Sequence, residues 1–156
     1  ISIQRMIDFC VLGSGISGST IANLLHKKYN VLLIDKARGI GGRASNKIYK
    51  SNTSFDHGLQ YFSPKEKNFN KLLNYLCKNR ILKNWEGPHL DLSLKSKKKK
   101  FIGRNANNDL NKFFLRKVKK IFNFEVKSIT FNGKYWIVSD KKKNFQAKNL
   151  IITFPY

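Results

Sequence analysis

The sequence predicts an α/β fold: a parallel sheet that opens with a βαβ unit and carries an antiparallel β excursion later in the chain. Three observations predict it. Ile7–Leu12 is an apolar run broken only by Asp8; Gly13, Gly15 and Gly18 follow in the spacing G-x-G-x-x-G; and a second apolar run, Val31–Ile34, ends on Asp35. Continuous apolar runs are what strands buried on both faces require. Two of them flanking one helix-length segment within about 30 residues match a single crossover unit.

The remaining elements follow in order. Ile16, Ile21, Leu24 and Leu25 recur at helical spacing and predict a helix running to about Lys28. Residues 38–43 read as a loop, and 54–62 as a strand-and-turn piece in which Asp56 caps and Tyr61 and Phe62 pack. Phe69, Leu72, Leu73 and Leu76 form one stripe, predicting a helix over 64–79. Leu90, Leu92 and Leu94 alternate ahead of a lysine run at 95–100, which reads as a strand leading to an exposed hairpin tip. A helix over 110–121, capped by Asn108 or Asp109, comes next. Strands are predicted at 124–129, 134–139 and 144–147. A buried strand at 150–154 then re-enters the parallel sheet and stops at Pro155. The expected organisation is 6–62 as the first part of the sheet domain, 63–104 as an excursion and 105–156 as the return.

Composition bounds the partners. At 156 residues the chain can bury one real core. A net charge of +22 with a pI near 10.2 raises nucleic acid or an anionic membrane. The excess is lysine, 25 against six arginines, alongside abundant Asn, Ile and Phe. These are the residues of A/T-rich codons, so base composition accounts for much of the charge. Nucleic-acid readers favour arginine, and no aromatic interrupts the lysine run. No specific nucleic acid and no membrane partner are therefore expected. No segment reaches the ~18 apolar residues of a membrane span, and Asp8 with the glycines interrupts any signal-peptide core. Cys10 and Cys77 are isolated, which argues against a disulfide framework and against a zinc site and fits a reducing cytoplasm. The chain starts at Ile1, with a plausible initiator at Met6, and stops at Tyr156 just past Pro155, so it is expected to be a piece of a longer protein.

The glycine spacing carries the chemistry. Gly13 allows a tight turn, Gly15 lets a pyrophosphate approach the backbone, and Gly18 lets helix and strand pack closely. The phosphates would then meet free N–H groups at the helix N-terminus, with Ser17 in its first turn. Asp35, followed by Lys36, lies about 20 residues on, where a carboxylate accepts hydrogen bonds from a ribose hydroxyl. Gly41 and Gly42 can add an anion-binding nest of N–H groups, and Arg43 a charged clamp. The sum describes a dinucleotide site.

The βαβ fingerprint followed by R-G-x-G-G-R resembles the FAD-binding start of the amine oxidase and phytoene desaturase superfamily of flavoproteins. Asp56-His57-Gly58-Leu59-Gln60-Tyr61-Phe62 is similar to a flavin-side segment of its renalase-like members, with Leu59 where alanine is usual. The resemblance implies a Rossmann-like FAD-binding domain with the start of an α+β substrate domain. It places His57, Gly58 and Gln60 toward the flavin, and the backbone of Val126 toward the adenine. It implies FAD as cofactor and a small-molecule substrate, either a dihydronicotinamide isomer or an amine, with oxygen as acceptor. It identifies no catalytic base. Later sequence completes the FAD site in that group, so this chain alone is expected to bind FAD weakly or not at all. The rival readings are an NAD-dependent dehydrogenase, a basic nucleic-acid-binding module and an inactive fragment.

Overall fold

The computed structural model describes residues 6–50, 53–86 and 99–154. Along the chain the elements are β1 (Ile7–Leu12), α1 (Ile16–Leu25), β2 (Val31–Ile34), β3 (Asn46–Tyr49), β4 (Thr53–Asp56), α2 (Lys67–Lys78), β5 (Leu82–Asn84), β6 (Phe101–Gly103), α3 (Asp109–Leu115), β7 (Lys119–Ile121), β8 (Ser128–Phe131), β9 (Trp136–Ser139) and β10 (Asn144–Ile152), with a 3-10 turn at Gly42–Ala44. They form two compact units. The first holds the chain up to Gly42 and from Asn111 onward; the second holds Arg43–Leu110.

The first unit is a six-stranded sheet in the order β7-β2-β1-β10-β9-β8. β7, β2, β1 and β10 run parallel, while β10, β9 and β8 pair antiparallel. Val11 sits between Leu33 and Ile151 in register. The pleat divides each central strand between two cores: Cys10, Leu12, Leu32 and Ile34 pack with Phe124 and Val138, whereas Val11, Val31 and Leu33 pack with Ala22, Leu115 and Val118. Burial on both faces explains why β1 and β2 read as unbroken apolar runs. Each fully buried leucine contributes about 1.5–3 kcal/mol. Burial also pushes the Cys10 thiol up to about 12, which leaves it an inert packing group.

The sequence reading needs correction at several elements. α1 stops at Leu25, where the Lys28 N–H turns to the Leu25 carbonyl three residues back and the last turn tightens. The helix expected over 110–121 covers Asp109–Leu115 only. Residues 119–121 instead pair with Leu32, Leu33 and Ile34 as β7, where pairing on the edge of β2 overrides the helix propensity of the lysines. Residues 124–127 are not a strand; β8 begins at Ser128. The two strands expected at 144–147 and 150–154 are one, β10, antiparallel to β9 in its first half and parallel to β1 from Ala147 on. The strand at 89–94 and most of the lysine run lie outside the described residues.

In the second unit β3 pairs β4 and β5 pairs β6. Leu73 and Leu76 of α2 are buried, as their stripe requires. Phe62 is buried and exchanges two backbone hydrogen bonds with Phe101, and Tyr61 meets Trp85 edge-on at 5.8 Å. The packing reading of these aromatics holds.

Asp8, the one polar break in β1, has a defined task. Its carboxylate accepts the Lys148 ammonium at 2.8 Å and the Asn30 N–H at 3.0 Å, tying β1 to β10 and to the start of β2. The ammonium first, then the N–H, hold this carboxyl below its ordinary 3.8. A depressed folded pKa gives stability that is complete above the unfolded value and fades as acid protonates the folded group. Thermal unfolding from about pH 2 to 6 is therefore expected to show a shallower acid limb in Asp8→Asn than in the parent; identical limbs would contradict the tie.

Candidate functional site

β1 ends at the centre of the sheet, with β2 on one side and β10 on the other. The chain first leaves β1 in one direction and later returns on the other, so the strand ends here form a topological switch point, where open α/β sheets bind ligands. The glycine-rich turn emerges at this place. Gly13 has φ +104, and a Cβ there would lie 2.7 Å from Thr153 Oγ1. A Cβ on Gly18 would collide with the Gly13 carbonyl. These two glycines serve packing. Gly15 differs: its backbone is extended, with φ −65 and ψ −177, and a Cβ would meet nothing within 4 Å. It faces open space at the head of α1, whose first turn has neither a side-chain cap nor an acidic residue to compete for its N–H groups.

The turn is fixed from behind. The Ser14 N–H and the Ser14 hydroxyl both donate to Asp35 Oδ2 at 2.6 Å, and the Ala37 N–H donates to Oδ1 at 2.8 Å. A carboxylate offers about four acceptor positions, so Asp35 both anchors the turn and keeps capacity for a ribose hydroxyl. The Ser14 carbonyl accepts from Ser19 Oγ at 3.0 Å, Asn111 Nδ2 at 3.1 Å and the Gly41 N–H at 3.3 Å. Gly42, at φ +54, lies against Gly15, so close that a Cβ would stand 3.0 Å from the Gly15 Cα. The sequence reading missed Ser14, Ser19 and Asn111. A signal existed in Asn111, a polar residue three and four positions before the buried Phe114 and Leu115 on one helix face.

The first unit thus brings Gly13, Gly15, Gly18, Asp35, Gly41 and Gly42 together. Ser17 is exposed on the first turn of α1, and Lys36 is exposed beyond Asp35. Val126 is half-buried against the β1–β2 core. It follows a segment in which the Phe124 N–H donates to the Asp35 carbonyl at 3.1 Å.

Arg43, His57, Gly58 and Gln60 belong to the second unit. There Gly58 passes over the Arg43 carbonyl, which a Cβ would strike and which accepts the Leu59 N–H at 2.8 Å. His57 Nε2 stands 3.4 Å from Ser45 Oγ. Asp56 accepts the Asn107 N–H at 3.1 Å, and Asn107 Nδ2 donates to the Leu59 and Gln60 carbonyls at 2.7 and 3.1 Å. Asp56 and Gln60, with Lys83, Trp85 and Arg104, line an open cleft of about 480 Å³ within this unit.

Residues 11–76 match the family described as NAD(P)-binding Rossmann-like domain. The fold is Rossmann-like. Two solved structures of putrescine oxidase, a double and a single mutant from a redesign of its cofactor binding, share this Rossmann-like fold with TM-scores of 0.73 at 13% identity, over 96% of this chain and 58% of theirs. An uncharacterized protein of Methanocaldococcus jannaschii is 25% identical over 95% of this chain. The chain spans 48% of the length of that relative. Among the described residues, no helix is long and apolar enough to cross a membrane.

Gly15 and Gly18 of the Rossmann turn are expected to respond differently to alanine. Gly18→Ala overpacks the turn and should lose about 1–3 kcal/mol or more. Gly15→Ala should stay within about 1 kcal/mol of the parent while losing affinity for a dinucleotide. Chemical denaturation paired with ligand titration checks the contrast, and equal destabilisation by both variants would contradict it.

Proposed function

We propose that this chain carries the adenine-dinucleotide end of an FAD-dependent oxidoreductase, renalase-like or amine-oxidase-like in kind. The observation that carries this reading is Gly15: open in front, at the uncapped head of α1, and set on a turn held from behind by Asp35 and by the Ser14 carbonyl bonds. The residues suit the group. N–H groups of Gly15 and the first turn of α1 would hold the diphosphate, and Asp35 would take a ribose hydroxyl. The backbone of Val126 would lie at the adenine.

FAD is favoured over NAD by the Gly41-Gly42 loop, which closes on the turn through the Gly41 N–H and the approach of Gly42 to Gly15. A plain NAD-binding unit lacks this second glycine pair. When bound, FAD supplies the two-electron chemistry, accepting hydride from substrate. The part of this chain is to bind and orient. The substrate class is an amine or a dihydronicotinamide isomer, and oxygen is the acceptor.

NMR titration of the chain with FAD, NAD and ADP tests the reading, since it registers millimolar as well as tight binding. The expected result is a shift of the Gly15, Ser17 and Gly18 amides with each ligand, the lowest Kd for FAD, and a loss of about tenfold or more in Asp35→Ala, the scale of a hydrogen bond to a charged group. Amides of the turn that stay in place with all three ligands would overturn it.

A further inference from the structure

Asn111 is fully buried, reaches the turn across 97 residues of sequence, and satisfies only half of its amide. Nδ2 donates to the Ser14 carbonyl at 3.1 Å and to Ser19 Oγ at 3.0 Å, while Oδ1 is buried with no hydrogen-bond partner. Ser19 Oγ in turn donates to the same Ser14 carbonyl. The amide orientation follows from this network, because a carbonyl must be met by the NH₂ end. A buried acceptor without a partner is a standing penalty. Both donations of the side chain thus converge on the Ser14 oxygen, one directly and one through Ser19 Oγ, beside the Gly41 N–H that meets the same oxygen at 3.3 Å.

That atom belongs to the peptide linking Ser14 to Gly15. The described chain contains no cis peptide bond, and in a trans peptide the C=O and the following N–H point in opposite directions. Drawing the Ser14 oxygen inward toward Asn111 and Ser19 thus turns the Gly15 N–H outward. Glycine tolerates many backbone conformations, so the Gly15 side of this peptide offers little resistance to rotation by itself. Something else must hold it.

We propose that Asn111 is a positioning residue which locks the Ser14–Gly15 peptide plane so that the Gly15 N–H is presented to a ligand diphosphate. The phosphate part of this inference rests on the dinucleotide reading above. Asn111 touches no ligand; it acts through the peptide, with Ser19 as its relay.

The test follows the Gly15 amide by ¹⁵N NMR without ligand, then measures FAD affinity by the same titration. Asn111→Ala is expected to shift and broaden the Gly15 resonance while amides of the β1–β10 ladder keep their positions, and to weaken FAD at least tenfold. Asn111→Ser, which keeps a shorter donor, is expected to recover part of both. Should Asn111→Ala lose the fold, Ser19→Ala removes another donor from the same carbonyl and is read identically. A folded variant with the parental Gly15 resonance and parental affinity overturns the role of Asn111. A parent chain that binds no dinucleotide overturns the reading beneath it instead, and with it the phosphate part of the proposal.

Discussion

Everything in the first unit that bears on a ligand depends on how Ser14 is held. Its carbonyl gathers α1 through Ser19, α3 through Asn111 and the glycine loop through Gly41, while its N–H and hydroxyl are taken by Asp35 at the end of β2. One residue therefore joins four parts of the unit to the turn, and each bond costs little to form because the partners are held by packed elements. The turn's exposed side is left to Gly15. The site is rigid where it is covered and open where a ligand would sit, which is the arrangement preorganised binding requires.

Much of this was legible in the sequence. The two central strands announced themselves because burial on both faces leaves no room for alternation. The glycine spacing located the turn, and Asp35 fell where a parallel neighbour strand must end. What was not legible came from partners distant in the chain. Asn111 meets Ser14 only after α3 has folded against α1. The tail of the helix expected over 110–121 became β7 because an edge of β2 was waiting for it, and no local pattern encodes a vacant edge. β10 was read as two strands because its pairing changes from antiparallel to parallel along its length.

The glycines show how one motif divides its labour. Gly13 and Gly18 answer to Thr153 and to each other, so their absence of side chain is a packing matter. A Cβ on Gly15 would meet nothing within 4 Å, although Gly42 lies against its backbone. Gly58, singled out for a flavin-side role by resemblance, has a structural reason of its own in the Arg43 carbonyl beneath it. A glycine whose Cβ would meet protein needs no ligand to account for it, and Gly13, Gly18 and Gly58 are of that kind.

A crystal structure of the chain grown with ADP tests the central claim most directly. The predicted result places the diphosphate on the Gly15 N–H and the first turn of α1, with a ribose hydroxyl on Asp35 and the Ser14 carbonyl still bonded to Asn111. An open cleft of the first unit, bordered by Asp8, Lys27, Lys28, Lys117 and Lys119, offers the rival position for an anion. ADP seated there, with the glycine turn bare, would contradict the claim.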